Sequence, residues 1–70
     1  MSANTYKLIE LVGSSPNSSD EAVRNAISKA GATVKNMDWF QVIETRGHIM
    51  NGQVAHFQVT LKVGFNLEER

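Results

Sequence analysis

Three side chains in the second half of the sequence have the chemistry to bind a planar heterocycle. Trp39 is the only tryptophan in the chain, and an indole offers a flat apolar surface on which a ring can stack. Gln58 carries an amide, which presents a donor and an acceptor together and so matches a ring edge with adjacent N–H and C=O groups, as in flavins or pyrimidines. Arg46 could bind a phosphate, or it could pair with Glu44.

Each of these residues also has a purely structural interpretation. A lone tryptophan is often a core or subunit-interface residue, and a glutamine is common at outward-facing strand positions. Trp39, however, shares its predicted sheet face with uncharged hydrogen-bonding side chains. That composition suits a surface that something else covers, so we predict a ligand site or an interface there.

The sequence gives no indication of catalysis. It has no Ser/His/Asp set, no GxGxxG motif and no P-loop, so we predict no catalytic residues and no enzymatic activity. His48 and His56 flank a predicted hairpin turn on nominally opposite faces. Without cysteine or a third ligand, we interpret them as solvated histidines and predict no metal site.

Composition limits the class of protein. A chain of 70 residues is predicted to form a single domain, residues 1–70, close to the lower size limit for a self-sufficient core. Cysteine is absent, so disulfides cannot add stability and oligomerisation is the expected substitute. The seven basic residues are scattered, which argues against nucleic-acid binding. Neither a signal peptide nor a long apolar run is present, so we expect a cytoplasmic protein without a membrane partner.

The elements follow from periodicity. An apolar segment predicts a first strand from Thr5 to Val12, and a turn follows at residues 13–19. A helix of about 18 residues is predicted next, with Ser18 and Glu21 forming a capping box and Gly31 inside the helix. Its apolar stripe comprises Val23, Ala26, Ile27, Ala30, Val34 and Met37.

Two long strands then flank Asn51-Gly52, a strong signal for a type I′ hairpin. The last strand alternates strictly, with Ala55, Phe57, Val59, Leu61, Val63, Phe65 and Leu67 on one face. The fold class is therefore α+β with β-α-β-β topology. Strands of this length overhang the helix, and self-association is the simplest way to bury their ends.

The hairpin turn predicts the register of these two strands. With Met50 opposite Gln53, Trp39 lies opposite Gly64, Ile43 opposite Thr60 and Thr45 opposite Gln58. Arg46 would then oppose Phe57, which suggests a bulge at Gly47. Trp39 and Gln58 fall on one face, six residues or about 20 Å apart. If both contact one small ligand, they must come from different subunits.

The whole chain resembles the dodecins, a family of small flavin-binding proteins, and its bacterial branch in particular. The matching segments are "YKLIELVGSSPNSSDEAVRNAISKA" with its Val-Gly-x-Ser turn, "MDWFQV", "RGHI" and "VAHFQVTLKVGFNLEE". The resemblance implies a three-stranded antiparallel sheet wrapped around one helix. It also implies a hollow homododecamer with a pair of flavins in each pocket, on a two-fold axis.

The resemblance also assigns roles to the three side chains. Trp39 would stack on the isoalloxazine ring, Gln58 would hydrogen-bond its pyrimidine edge, and Arg46 would lie near the ribityl phosphate. FMN is the implied ligand, with riboflavin as the alternative, and some bacterial members also carry coenzyme A. Many bacterial relatives read "VGFRLE" where this chain has Asn66 in "VGFNLE", so a charge that bears on phosphate and coenzyme A binding is absent here.

The expected function is storage and photoprotection of flavin. Two alternatives stay open at this point. A flavin-dependent oxidoreductase would oxidise NAD(P)H, although no nicotinamide site or proton donor is visible in the sequence. A purely structural oligomer would bind no flavin at all.

Overall fold

The computed structural model describes residues 4–67, and it contains three strands and one helix. The elements are β1 (Tyr6–Ser15), α1 (Ser19–Ala30), β2 (Met37–Met50) and β3 (Gln53–Asn66). The strands form one antiparallel sheet in the order β1-β3-β2. The predicted α+β class and β-α-β-β order are confirmed. No helix in this part of the chain is long and apolar enough to span a membrane.

The core lies between α1 and one face of the sheet. Helix α1 packs against β1 and β3. The helix contributes Ala22 and Ala26, and β3 contributes Val59, Leu61 and Val63, all buried. The strict alternation in β3 therefore predicted the buried face correctly, because successive strand residues point to opposite sides.

Strand β1 is longer than the sequence suggested. It continues through Gly13 to Ser15 and does not end at Val12. A β-carbon at Gly13 would collide with the backbone oxygen of Ala22 and would lie 2.9 Å from the β-carbon of Ala26. Glycine is needed here because the helix crosses the strand at close range, and it does not mark the start of a turn.

The N-terminus of α1 uses only half of the predicted capping box. Ser18 Oγ accepts a hydrogen bond from the Glu21 backbone N–H at 3.0 Å. The Glu21 carboxylate does not return to Ser18; it accepts from the buried Ser15 hydroxyl at 3.0 Å and from the Asn17 amide. The Ser18 N–H is instead within 3.4 Å of Ser15 Oγ. This network joins the end of β1 to the first turn of α1.

The helix is shorter than predicted. It has 12 residues and ends at Ala30, so Val34 and Met37 do not belong to it. Gly31 occupies the C-cap and its N–H donates to Ile27 O at 2.9 Å. After a turn the chain passes through Asn36, which adopts a φ of 63°. The helical period extended past the true end because Val34 in the following loop and Met37, the first residue of β2, fall in phase with the helix.

The hairpin register is partly as predicted. Trp39, Phe40, Gln41 and Val42 oppose Gly64, Val63, Lys62 and Leu61, and Met50 opposes Gln53. The turn residues Asn51 and Gly52 have φ values of 55° and 74°, as a type I′ turn requires.

Between these two ends the register shifts. The first shift lies between Val42 and Glu44, which makes Ile43 the extra residue of a bulge, and the second lies between His48 and Ile49. The predicted bulge at Gly47 and the predicted pairs Ile43–Thr60 and Thr45–Gln58 are therefore wrong. Glu44 faces Thr60, and Arg46 faces Gln58 and not Phe57.

Strand β2 extends well beyond the helix. At 14 residues it spans about 46 Å, whereas the 12-residue helix spans about 18 Å. Strand β2 is also an edge of the sheet, and its residues are exposed along almost the whole strand. Long exposed edge strands are templates for association, so this geometry favours burial by further copies of the chain.

Candidate functional site

The site lies on the face of the sheet opposite α1, here called the open face. Residues of all three strands contribute to it, because β-strand side chains alternate between faces. The open face as a whole carries Tyr6, Leu8, Glu10, Val12 and Ser14 from β1, Trp39, Gln41, Glu44, Arg46 and His48 from β2, and His56, Gln58, Thr60, Lys62 and Gly64 from β3.

The indole of Trp39 covers Gly64 at one end of the open face. A β-carbon at Gly64 would collide with the six-membered ring of the indole, so the ring covers the glycine directly. Tyr6 of β1 flanks it, with ring centroids 6.0 Å apart and planes tilted by 56°. Trp39 is nevertheless 43% exposed, so one side of the indole is free to stack on another planar group.

Arg46 lies at the centre of a polar cluster further along the open face. Its Nε donates to Gln58 Oε1 at 3.2 Å, and its Nη1 donates to Thr60 Oγ1 at 2.9 Å. Nη1 also approaches the Glu44 carboxylate at 3.4 Å, in an ion pair whose members are both well exposed. Such an exposed pair adds little stability. Its effect is to hold the guanidinium against Gln58 and Thr60.

The cluster leaves donors available for a ligand. Within residues 4–67, Nη2 of Arg46 makes no hydrogen bond, and neither does the amide nitrogen of Gln58. Because Gln58 Oε1 accepts from Arg46, the side-chain amide has a defined orientation, with its N–H groups turned away from the arginine. The arrangement can present N–H donors to an acceptor-rich ring edge or to an anion.

The two parts of the site are far apart within one chain. Trp39 covers Gly64, and Gly64 lies six residues from Gln58 along β3, about 20 Å. Arg46 and Gln58 are therefore together, whereas Trp39 is separate from both. A small ligand that touches the indole and the polar cluster would have to lie between two copies of the chain.

A further concave surface lies on the helix side of the sheet. It is an open groove of about 650 Å³ between α1 and β2, with apolar residues of both elements along it. Phe40 and Val42 face this groove and are 51% and 44% exposed. The groove does not include the polar cluster. Charged side chains of Asp20, Arg24 and Asp38 line it together with Trp39 and the apolar residues, a mixture that suits a protein–protein contact. Its lining includes Val23, Ile27, Met37, Phe40, Val42 and Val63.

Sequence reasoning proposed Trp39, Gln58 and Arg46 as ligand-binding residues and placed Gly64 opposite Trp39, but it did not predict the contacts that surround these side chains. Gly64 is a glycine inside a strand, a signal of close approach by another group, and it proves to be the platform for the indole. Thr60 holds Arg46, and Tyr6 flanks Trp39. The contacts of Thr60 and Tyr6 could be predicted only with the pairing of β1 and β2 with β3 in hand.

The histidines are not arranged as predicted. His48 and His56 are direct cross-strand partners and therefore share a face of the sheet. The prediction of opposite faces was wrong because it continued the register of the turn, whereas the register shifts between Ile49 and His48. Both histidines are exposed. Within the described part of the chain, no group of three or more His, Cys, Asp or Glu residues is positioned to hold a metal ion.

Comparisons with known proteins identify the family of this fold. The Dodecin family model matches residues 5–68. A curated dodecin from Thermus thermophilus is 45% identical over 64 residues, which is 91% of this chain and 93% of the relative.

Solved structures agree with the sequence matches. The dodecin structure from Streptomyces coelicolor is 54% identical, covers 100% of both chains and has a TM-score of 0.92. The dodecin from Streptomyces davaonensis is 51% identical, covers 97% of this chain and 100% of its own, and has a TM-score of 0.91. Homologues of this kind support a small ligand-binding protein that assembles into oligomers. The fold, the site and these matches together show that the chain belongs to the dodecin family.

Proposed function

We propose that this protein stores and photoprotects flavin in the cytoplasm by stacking pairs of flavins, chiefly FMN, between tryptophans of neighbouring subunits. The observation that carries the proposal is the indole of Trp39, which is 43% exposed on the open face and backed by Gly64. Family membership supports binding of a flavin or a similar small ligand. An exposed, supported indole is the group best suited to hold such a ring.

The polar cluster supplies the second half of the proposed site. In this proposal Gln58 hydrogen-bonds the pyrimidine edge of the flavin, and Arg46 lies near the ribityl phosphate. The uncommitted N–H groups of both side chains support these roles, because flavin carbonyls and phosphate are acceptors. About 20 Å separates the cluster from Trp39 of the same chain, so the indole in each pocket comes from a second subunit.

The proposed assembly is a homododecamer with a hollow interior. Its support is the amount of apolar surface that one copy leaves uncovered, on β2 in particular. Phe40, Val42, Ile43, Ile49 and Met50 are between 44% and 72% exposed, and the groove beside α1 is open. Patches of this kind on a small protein indicate contact surfaces, and family membership supports oligomeric assembly.

In this proposal the protein is a carrier and not an enzyme. A flavin sandwiched between an indole and a second flavin has no open face for a hydride donor. We therefore expect no NAD(P)H oxidation above that of free FMN when the loaded protein is assayed. Turnover that depends on the protein would support the oxidoreductase alternative instead.

The decisive test is the replacement of Trp39. Trp39→Ala is expected to abolish FMN binding and to leave the oligomer intact, because the indole supplies the stacking surface and lies outside the helix–sheet core. Gel filtration with detection at a flavin absorbance band reports both properties in one experiment. Trp39→Phe is the matched control: it retains an aromatic face, so weakened but measurable binding is expected. Tight binding of FMN by Trp39→Ala would rule out the proposal.

A further inference from the structure

We propose that His48 and His56 form a two-histidine chelate for a late first-row divalent metal ion, with Zn²⁺ as the representative case. The proposal concerns the hairpin end of the open face, away from Trp39. It does not rest on flavin binding, since neither histidine contacts the indole or belongs to the polar cluster. It arises from the register of β2 and β3, which differs from the register that the sequence suggests.

The ladder places the two side chains on one side of the sheet. Arg46 and Gln58 are cross-strand partners, and their side chains meet on the open face at 3.2 Å. Gly47 and Phe57 are the next pair, followed by His48 and His56, without a register shift between them. Since side chains alternate with a period of two, both histidines project from the face that Arg46 and Gln58 occupy.

The spacing of the pair suits chelation. Directly opposed residues in an antiparallel ladder have β-carbons about 4.5–5.5 Å apart, which allows two imidazoles to converge on one ion. A zinc–imidazole nitrogen bond is about 2.0–2.1 Å long. The ladder fixes both side chains relative to each other, so the second ring binds at a high effective concentration once the first has bound.

The chemistry of the pair selects the metal class. Neutral imidazole suits Zn²⁺, Cu²⁺ and Ni²⁺, whereas Ca²⁺ and Mg²⁺ prefer oxygen ligands. Both histidines are exposed, so solvent reaches the ion and can fill the coordination positions that the protein leaves open. Within residues 4–67 no third His, Cys, Asp or Glu completes the group. The site is therefore an exchangeable one and weaker than a four-ligand structural zinc site.

The local backbone reinforces this geometry. A register shift separates His48 from Ile49, so a bulge lies next to the pair, between it and the turn at Asn51 and Gly52. Bulges bend a strand and redirect side chains, and they are common beside functional sites. The hairpin end thus combines a rigid ladder on one side of the pair with a tight turn on the other.

Calorimetric titration of tag-free protein with Zn²⁺ tests the proposal. At neutral pH we expect one Zn²⁺ per chain, with no comparable binding of Mg²⁺. His48→Gln and His56→Gln should each lower the affinity at least about tenfold, since disturbing even an outer-shell partner of a metal ligand costs about 10- to 100-fold.

The two single variants separate a chelate from independent sites. If each histidine bound zinc alone, each variant would keep half of the stoichiometry at unchanged affinity, and that result would overturn the proposal. So would zinc binding that both variants retain in full, or the absence of any binding by the parent protein. Circular dichroism and gel filtration of the variants establish that the fold is intact. Retention of FMN binding by both would show that the metal site is separate from the flavin site.

Discussion

At the scale of single residues, the proposed site depends on a partnership between Trp39 and Gly64. The indole lies where a β-carbon on Gly64 would have to be, so the glycine allows the ring to pack directly on the sheet. The ring is still 43% exposed, which leaves aromatic surface for a ligand. Tyr6 flanks the indole on the side of β1.

Gly64→Ala is therefore expected to weaken FMN binding about tenfold or more, which corresponds to about 1.4 kcal/mol, because the added methyl group displaces the indole. Flavin fluorescence titration measures the affinity. The double variant Trp39→Phe/Gly64→Ala is the control, since Trp39→Phe keeps measurable binding and the two substitutions should not add when one acts only through the other residue. Wild-type affinity in Gly64→Ala would show that the orientation of the indole does not matter.

Arg46 is expected to act in two ways, through its charge and through Gln58. Its Nε holds Gln58 Oε1 and so sets which atoms of the amide face the ligand. Arg46→Lys keeps a positive charge but loses the planar fork of donors. We expect this variant to bind riboflavin as well as FMN more weakly. Both ligands present the same pyrimidine edge to Gln58, and only FMN carries a phosphate, so a loss for riboflavin reports the effect of Arg46 on Gln58. If riboflavin affinity were unchanged while FMN affinity fell, Arg46 would act only on the phosphate.

At the scale of secondary-structure elements, the bulge at Ile43 decides the composition of the site. A regular β2 would place Glu44, Arg46 and His48 on the same face as Phe40 and Val42, towards the helix side of the sheet. The extra residue moves these three polar side chains to the open face, where Arg46 meets Gln58. The sequence does indicate an irregularity here, because in a regular strand Glu44, Arg46 and His48 would occupy the buried side of the sheet together with Phe40 and Val42. Placing the bulge at Ile43, three residues before Arg46, and not at Gly47 requires the pairing with the partner strand.

The other elements show where sequence reasoning is dependable. The alternation in β3 and the Asn51-Gly52 turn are local signals, and both predicted the structure well. The end of α1 was missed because Val34 and Met37 continue the helical period although the chain turns at Gly31. The length of β1 was missed because Gly13 was interpreted as a turn residue, whereas its role is to let the helix pack close to the strand. That role depends on tertiary contact and has no local signal.

Gly13 also provides a stability prediction. Gly13→Ala should lower the free energy of unfolding by about 1–3 kcal/mol, the usual cost of overpacking, because the new methyl group collides with the backbone of Ala22. Gly31→Ala is the matched control, since Gly31 has an ordinary helical φ of −62° and should change stability little. Chemical denaturation at equal protein concentrations compares the two. Equal stability of both variants would contradict the proposed close packing.

At the scale of the whole molecule, one copy of the chain is elongated and incompletely buried. The described residues measure 54 × 21 × 14 Å, and large apolar side chains are exposed on β1 and β2. A lack of cysteine and a small size were enough to predict oligomerisation from the sequence. The number of subunits and the geometry of their contacts are not encoded in any local pattern. For these, the prediction rests on resemblance to the dodecins.

The central claim is that flavin binds by stacking against Trp39 between subunits. Titration of purified apoprotein with FMN, followed by flavin fluorescence, tests it most directly, because an electron-rich indole in contact with the ring quenches its emission. The account predicts quenching that saturates near one flavin per chain. Unchanged fluorescence with FMN, riboflavin and lumichrome alike would contradict it and would leave an oligomer without a flavin function.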